Sequence, residues 1–299
     1  MKKLSLQLMK KINRIIEKII FEPLQGIFAI FLYYLFASLK PKTASWLGGQ
    51  LALKISFLLP QNKRAKDNIK LIFPHLPEIK RNKILCETIE NLGRNAGEYP
   101  HLGRIQEFIK VRGLNNLPKN EKPFILVAAH LANWELTPYP GTLVNRPVMR
   151  VYRKLNAPLA EWILRKKKSP LPGEVVPKGN KGAIKMLSVL RSNGIVLLLS
   201  DQRLNTGIKI NFMGKPANTL TSPAVMSLKL GCPIIPLQIK RNKGLSFDII
   251  IHPALDLAKF RGSHKTKVEN IMIDINNLIS SWINQNPGQW FWHHRRWKV

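Results

Sequence analysis

The stretch that most constrains this chain is the unbroken apolar run Phe124-Ile125-Leu126-Val127-Ala128-Ala129, which opens directly onto His130-Leu131-Ala132-Asn133-Trp134-Glu135. So short a run, ending in small residues, reads as a buried strand. Its polar residues arrive where the strand ends, which is where open α/β sheets place their chemistry. Similar apolar strands are expected at residues 148–152, 174–177, 195–199, 209–212, 233–239 and 247–251. Helical spacing is expected at residues 157–167, 181–191, 222–230 and 265–284. This alternation predicts an α/β fold with a mostly parallel central sheet flanked by helices.

The N-terminal part reads differently. Residues 1–18 are basic and carry Leu4, Leu8, Ile12, Ile15 and Ile16, with Ile19 just beyond, at helical spacing. That pattern suits an amphipathic helix lying on an anionic bilayer. Residues 19–39 are then apolar apart from Glu22, Pro23, Gln25 and Gly26. About 20 residues are just enough to cross a hydrocarbon core, so an N-terminal hydrophobic membrane-anchor helix is expected. A second apolar stretch, residues 44–60, contains Trp46 and Lys54 and reads as an interfacial helix. The chain therefore divides into a membrane-associated helical region, residues 1–60, and an α/β domain, residues 61–299. Residues 62–74 and 78–99 read as basic helices, the second with one face to solvent.

Lys and Arg outnumber Asp and Glu by 48 to 17, a net charge of +31. Such an excess calls for a polyanionic partner: nucleic acid, an anionic membrane or a phosphorylated lipid. Seven tryptophans and the apolar N-terminal stretch favour the membrane over nucleic acid. Two cysteines, Cys86 and Cys232, make neither a disulfide framework nor a zinc set, and read as reduced, partly buried thiols in a cytosol-facing protein.

His130 and Glu135 read as a general base and the carboxylate that orients it. Five residues of regular helix would set these side chains about 140° apart, so the segment must bend, or a helix must begin inside it, for them to touch. No G-x-S-x-G elbow is present, which favours direct attack on an acyl donor over an acyl-enzyme. Asp201 follows the strand at residues 195–199 and is a candidate for the same cleft, or for a cap on the next turn. Arg165, with Lys166 and Lys168, suits phosphate, because a guanidinium is a planar fork. Thr219 or Thr221 can cap the helix that starts near Ser222. The C-terminus, Trp290-Phe291-Trp292-His293-His294-Arg295-Arg296-Trp297, reads as a headgroup segment with rings at the interface and arginines on phosphate. His293 and His294 have no acid or cysteine near them in sequence, so no metal is expected there.

The motif His-Leu-(Gly/Ala)-Asn-Trp-Glu at 130–135 resembles the signature of the bacterial lipid A late acyltransferases. These belong to the wider glycerolipid acyltransferase group with a His-x4-Asp/Glu motif. Similar family patterns recur in order over roughly residues 20–298. They are Arg64-x3-Asn68 with Phe73-Pro74, Asn91-x-Gly93-Arg94 with Glu98, and Val151-Tyr152-Arg153. Asp201-Gln202, the block from Phe212 to Thr219, the run Gly231–Pro236 and the terminal Pro287-x-Gln289-Trp290-x-Trp292-x-His294-Arg295-Arg296-Trp297 follow. Arg203 departs from the family, which often has another acid or a small residue there. The resemblance implies transfer of a fatty acyl chain from acyl carrier protein, or acyl-CoA, to a hydroxyl. The acceptor would be a phosphorylated, already acylated lipid A precursor, and the protein would sit on the inner membrane with its catalytic domain facing the cytosol. His130 and Glu135 would be catalytic, and Asn133, Arg165, Asp201, Arg295 and Arg296 would bind substrate. No metal, organic cofactor or nucleic acid is implied. The alternatives are acylation of another glycolipid or lysophospholipid, or a non-catalytic basic protein that binds membrane or nucleic acid.

Overall fold

The computed structural model describes residues 22–56, 61–118, 122–152, 173–177 and 179–297. Among the described residues four helices come first: α1 (Glu22–Ala37), α2 (Pro41–Ile55), α3 (Gln61–Ile72) and α4 (Glu78–Glu98). The strands are β1 (Ile109–Arg112), β2 (Phe124–Ala128), β3 (Val148–Tyr152), β4 (Val175–Pro177), β5 (Ile195–Leu199), β6 (Arg203–Phe212), β7 (Lys215–Thr219), β8 (Ile234–Arg241) and β9 (Phe247–Ile251). Among them run α5 (Asn180–Arg191), α6 (Ser222–Leu230) and, last, α7 (His264–Gln285).

Seven strands form one sheet in the order β1-β9-β8-β2-β5-β3-β4. All its pairings are parallel except β8 with β9. β2 lies between β8 and β5, and all five of its residues are buried. Successive side chains of a strand point to opposite faces. Ile125 and Val127 accordingly join a core with Val196, Leu198 and the α7 residues Ile271, Ile275 and Ile279. Phe124, Leu126 and Ala128 join the other core, with Leu197, Leu237, Leu102 and Ile105. This double cover is why the sequence of β2 shows no polar alternation. The α/β reading is correct, with α6 as expected and α5 and α7 one residue longer at one or both ends. The sequence reading lacked β1, whose alternation spans only four residues, and β7, whose Lys-Pro-Ala-Asn-Thr has no apolar run.

β6 and β7 form a separate antiparallel hairpin. Its turn carries Met213 at φ 50° and Gly214 at φ 76°. The hairpin packs on α7, where Ser280 accepts from the Met213 amide at 3.1 Å.

α2 does not lie free as an interfacial helix. Ala44, Ser45, Gly48 and Gly49 are buried on its inner side, against α4. A Cβ at Gly48 or Gly93 would strike the other glycine's backbone, and one at Gly97 would strike Ala44. The glycines therefore let the two backbones touch. α1 leaves Leu24, Ile27, Phe28, Phe31 and Tyr34 exposed. No helix among the described residues is long and apolar enough to cross a membrane. The expected amphipathic segment 1–18 lies outside the described residues.

Candidate active site

β2 and β5 are parallel neighbours, with Ala128 level with Leu199. Each chain runs two residues further, to His130 on one strand and Asp201 on the other. The register therefore delivers the two side chains to the same height at the carboxyl edge of the sheet. His130 Nδ1 lies 2.7 Å from Asp201 Oδ1, and the His130 amide donates to Oδ2 at 2.8 Å. Trp290 Nε1 donates to the same Oδ2 at 2.8 Å. Asp201 is fully buried. Burial alone would raise its carboxyl, but the His130 charge and hydrogen bonds hold it below the usual carboxylate range.

The Gln202 amide nitrogen sits 3.0 Å from His130 Nε2. An amide nitrogen can only donate, so Nε2 is the acceptor and Nδ1 carries the proton toward Asp201. The imidazole is thus locked in the tautomer that presents a lone pair at Nε2.

The loop after β2 bends as the spacing of His130 and Glu135 required. Ala132 takes a left-handed φ of 50°, and a single 3-10 turn, Trp134–Leu136, follows. Asn133 caps that turn by accepting from the Glu135 amide at 3.2 Å. The bend does not make Glu135 the brace of the ring. That place belongs to Asp201, and the Glu135 carboxylate pairs with Arg150 on β3 at 3.8 Å. Spacing along one chain could not show this, because the pairing is set by register across two strands.

Three other expectations change. Asn133 is fully buried, and its amide donates to Glu98 Oε2 at 2.7 Å, so its side chain turns into the protein and shapes the loop. Arg296 is fully buried too. It donates to the Gln202 and Asn218 carbonyls at 3.3 and 2.8 Å and to Thr219 Oγ1 at 2.8 Å, and stacks over Phe212 at 4.4 Å. Burial lowers its guanidinium to about 10, partly offset by Asp201. It ties the C-terminal segment to the Asp201-Gln202 loop and the hairpin. Thr219 thus serves Arg296, and no side chain caps α6. Arg295 is exposed. Arg165 and the helix expected around it lie outside the described residues. Of the cysteines, Cys86 is exposed and Cys232 buried.

The C-terminal segment is the second wall of the site. Trp290 bridges Leu131 in antiparallel fashion. The Phe291 amide donates to the His130 carbonyl at 3.0 Å, and the Ala132 amide to the Gln289 carbonyl at 2.9 Å. The His294 ring stands edge-on to His130 with centroids 4.5 Å apart. Burial, then the charge of His130, pushes His294 down to about 3.

Behind this wall lies a polar network that sequence reasoning missed. Asn91 and Asn95 both donate to the Ala132 carbonyl, at 3.0 and 2.6 Å, which holds the left-handed residue in place. Arg241, at the end of β8, donates to Asn91 at 2.8 Å, to Asn95 at 2.7 Å and through both Nη atoms to Glu98. Ser45 of α2 completes the carboxylate at 2.6 Å. Glu98 is fully buried, so this face of α4 does not meet solvent. One signal was available: Asn91, Asn95 and Glu98 fall at i, i+4 and i+7, a single helical stripe.

A buried carboxylate, a locked imidazole and a neighbouring amide at a sheet edge make a site built to take a proton. Residues 17–299 match the family model described as bacterial lipid A biosynthesis acyltransferase, and the chain belongs to that family. It is an acyltransferase of the lipid A biosynthesis type. It is 26% identical over 254 residues to a lipid A biosynthesis acyltransferase of Haemophilus influenzae, covering 79% of this chain and 76% of that one. It is 25% identical over 274 residues to the lipid A biosynthesis lauroyltransferase of Escherichia coli, covering 84% and 83%. A solved structure, the 1-acyl-sn-glycerophosphate acyltransferase PlsC of Thermotoga maritima, superposes with a TM-score of 0.41 at 14% identity, over 93% of this chain and 100% of that one.

Proposed function

We propose that this chain moves a fatty acyl group from a thioester of acyl carrier protein, or of CoA, to a hydroxyl of a phosphorylated, already acylated lipid A precursor. The observation that carries the reading is the His130 ring, pinned through Nδ1 by Asp201 and offering Nε2 as an acceptor. The acceptor hydroxyl replaces the Gln202 amide at Nε2. Its proton passes to Nε2 as its oxygen bonds to the thioester carbonyl carbon. Asp201 stabilises the imidazolium that forms. The C–S bond then breaks, and the departing thiolate takes the proton back from the ring. Gln202, displaced from the ring, becomes a donor beside the developing oxyanion. Arg165 and Arg295 hold acceptor phosphate, and Glu135 with Arg150 lines the open side of the loop. The +31 charge suits both an acidic carrier protein and a phosphorylated lipid. Residues 1–60 form the membrane-associated part, with the exposed apolar side chains of α1 against the cytosolic leaflet of the inner membrane.

The test is transfer from acyl carrier protein to a lipid A precursor. His130→Ala is expected to cost about 10³-fold or more in kcat with folding intact. Asp201→Asn should cost about 10²–10⁴-fold and move the acid limb of the kcat/KM profile to lower pH. Glu135→Ala should leave that limb in place whatever it does to the rate. A limb moved by Glu135→Ala and not by Asp201→Asn would return the bracing role to Glu135. Normal transfer by His130→Ala would remove the mechanism altogether. Mass spectrometry of lipid A from cells lacking the protein would show which acyl chain is missing.

A further inference from the structure

We propose that His130, Asp201 and His294 form a binding site for a borderline transition cation, Zn²⁺ above all, whose occupation blocks the base; the blocking rests on the role given to His130 above. In sequence His294 has no acid beside it. The fold supplies one from 93 positions away, together with a second imidazole. One ligand atom from each of the three side chains lies within 4.8 Å of the others. His130 Nδ1 is 2.7 Å from Asp201 Oδ1, and His294 Nε2 is 4.0 Å from Asp201 Oδ2. Ligand atoms sharing a tetrahedral zinc sit about 3.3 Å apart. The first separation, to Oδ1, is below that value and the second, to the other carboxylate oxygen, is above it, so the side chains must turn for one ion to meet all three.

A second observation points to a ligand. His294 Nε2 is buried and has no hydrogen-bond partner among the described residues. A buried polar atom left unmet is costly, and a metal at this point would satisfy it. The outer shell is already built, since Trp290 Nε1 holds Asp201 Oδ2 at 2.8 Å. Two imidazoles and one carboxylate select zinc-like ions over Mg²⁺, which prefers an all-oxygen set. His293 is outside the cluster, with Nε2 2.8 Å from Asn62 Oδ1.

The ion takes the place of the proton on His130 Nδ1, and that proton leaves to solvent. The ring then carries a cation on the side where Asp201 would have offset an imidazolium. Nε2 loses its basicity, and the hydroxyl keeps its proton.

The experiment titrates purified full-length protein, stripped with a chelator, with Zn²⁺ against a chromogenic zinc chelator, and with Mg²⁺ in parallel. One Zn²⁺ per chain and no Mg²⁺ are expected at the same concentrations. Affinity for Zn²⁺ should fall at least tenfold in His294→Gln and in His294→Asn, and should hold in His293→Gln, with each variant's fold checked by circular dichroism. Zinc at saturating concentration should stop acyl transfer by the wild type, and excess chelator should restore it. Absence of stoichiometric zinc, or equal affinity in both His294 variants, overturns the site. Zinc bound through His294 with transfer untouched overturns the blocking and the assignment of His130 as base, while the metal site stands.

Discussion

The C-terminal segment 286–297 and helix α1 are both rich in large apolar side chains, and the sequence reads both as membrane-facing. The fold treats them oppositely. Trp290, Trp292 and Arg296 are essentially inaccessible, whereas Phe28 and Phe31 of α1 are more than half exposed. The difference lies in the polar atoms. Trp290 Nε1 meets Asp201 and Trp292 Nε1 meets the Pro287 carbonyl at 2.8 Å. Asn68 of α3 receives the segment's backbone through the Trp292 and His294 carbonyls at 2.8 and 2.9 Å. Those partners hold the segment inside the protein, whereas α1 leaves Leu24, Ile27, Phe28 and Phe31 exposed. Aromatic and cationic composition alone does not distinguish an interface segment from the wall of an active site.

That contrast can be broken by substitution. The largest expected effect is Trp292→Ala, which removes a fully buried indole between Trp290 and Phe73 and should cost about 3–5 kcal/mol of stability in denaturant unfolding. Arg296→Lys keeps the charge and loses the fork that reaches Gln202, Asn218 and Thr219, so a loss of about 2–3 kcal/mol is expected in the same measurement. Trp290→Phe keeps most of the ring but takes one donor from Asp201; about 1–2 kcal/mol of stability should go, together with a fall in kcat that exceeds any change in KM. Phe31→Ser on α1 should shift stability by no more than about 0.5 kcal/mol. The same variant should bind anionic vesicles more weakly than the wild type if α1 faces a bilayer. A Phe31→Ser effect as large as that of Trp292→Ala would mean that α1 belongs to the packed core, and the contrast between the two regions would be lost.

The site repeats the lesson on a smaller scale. Glu135 is five residues from His130 and was the natural partner on spacing; Asp201, 71 residues away, holds the ring. The helix 78–98 reads from sequence only as basic with one face to solvent; in the fold Asn91, Asn95 and Glu98 face inward and, with Arg241, brace the loop after β2.

The sequence by itself determined the strand–helix alternation, the central place of β2, and the position of His130 and Asp201 at strand ends. Those features follow from local apolar periodicity, which depends on few neighbours. It also carried motifs resembling the family's, in order. Only the tertiary structure decided which carboxylate meets the imidazole, that Asn133 and Arg296 turn inward, and that the C-terminal tryptophans close the site and do not face lipid. Each of those outcomes is a choice among hydrogen-bond partners distant in the chain. Such choices are made by strand register and by the cost of burying an unpaired polar group, and neither can be read from spacing along one segment.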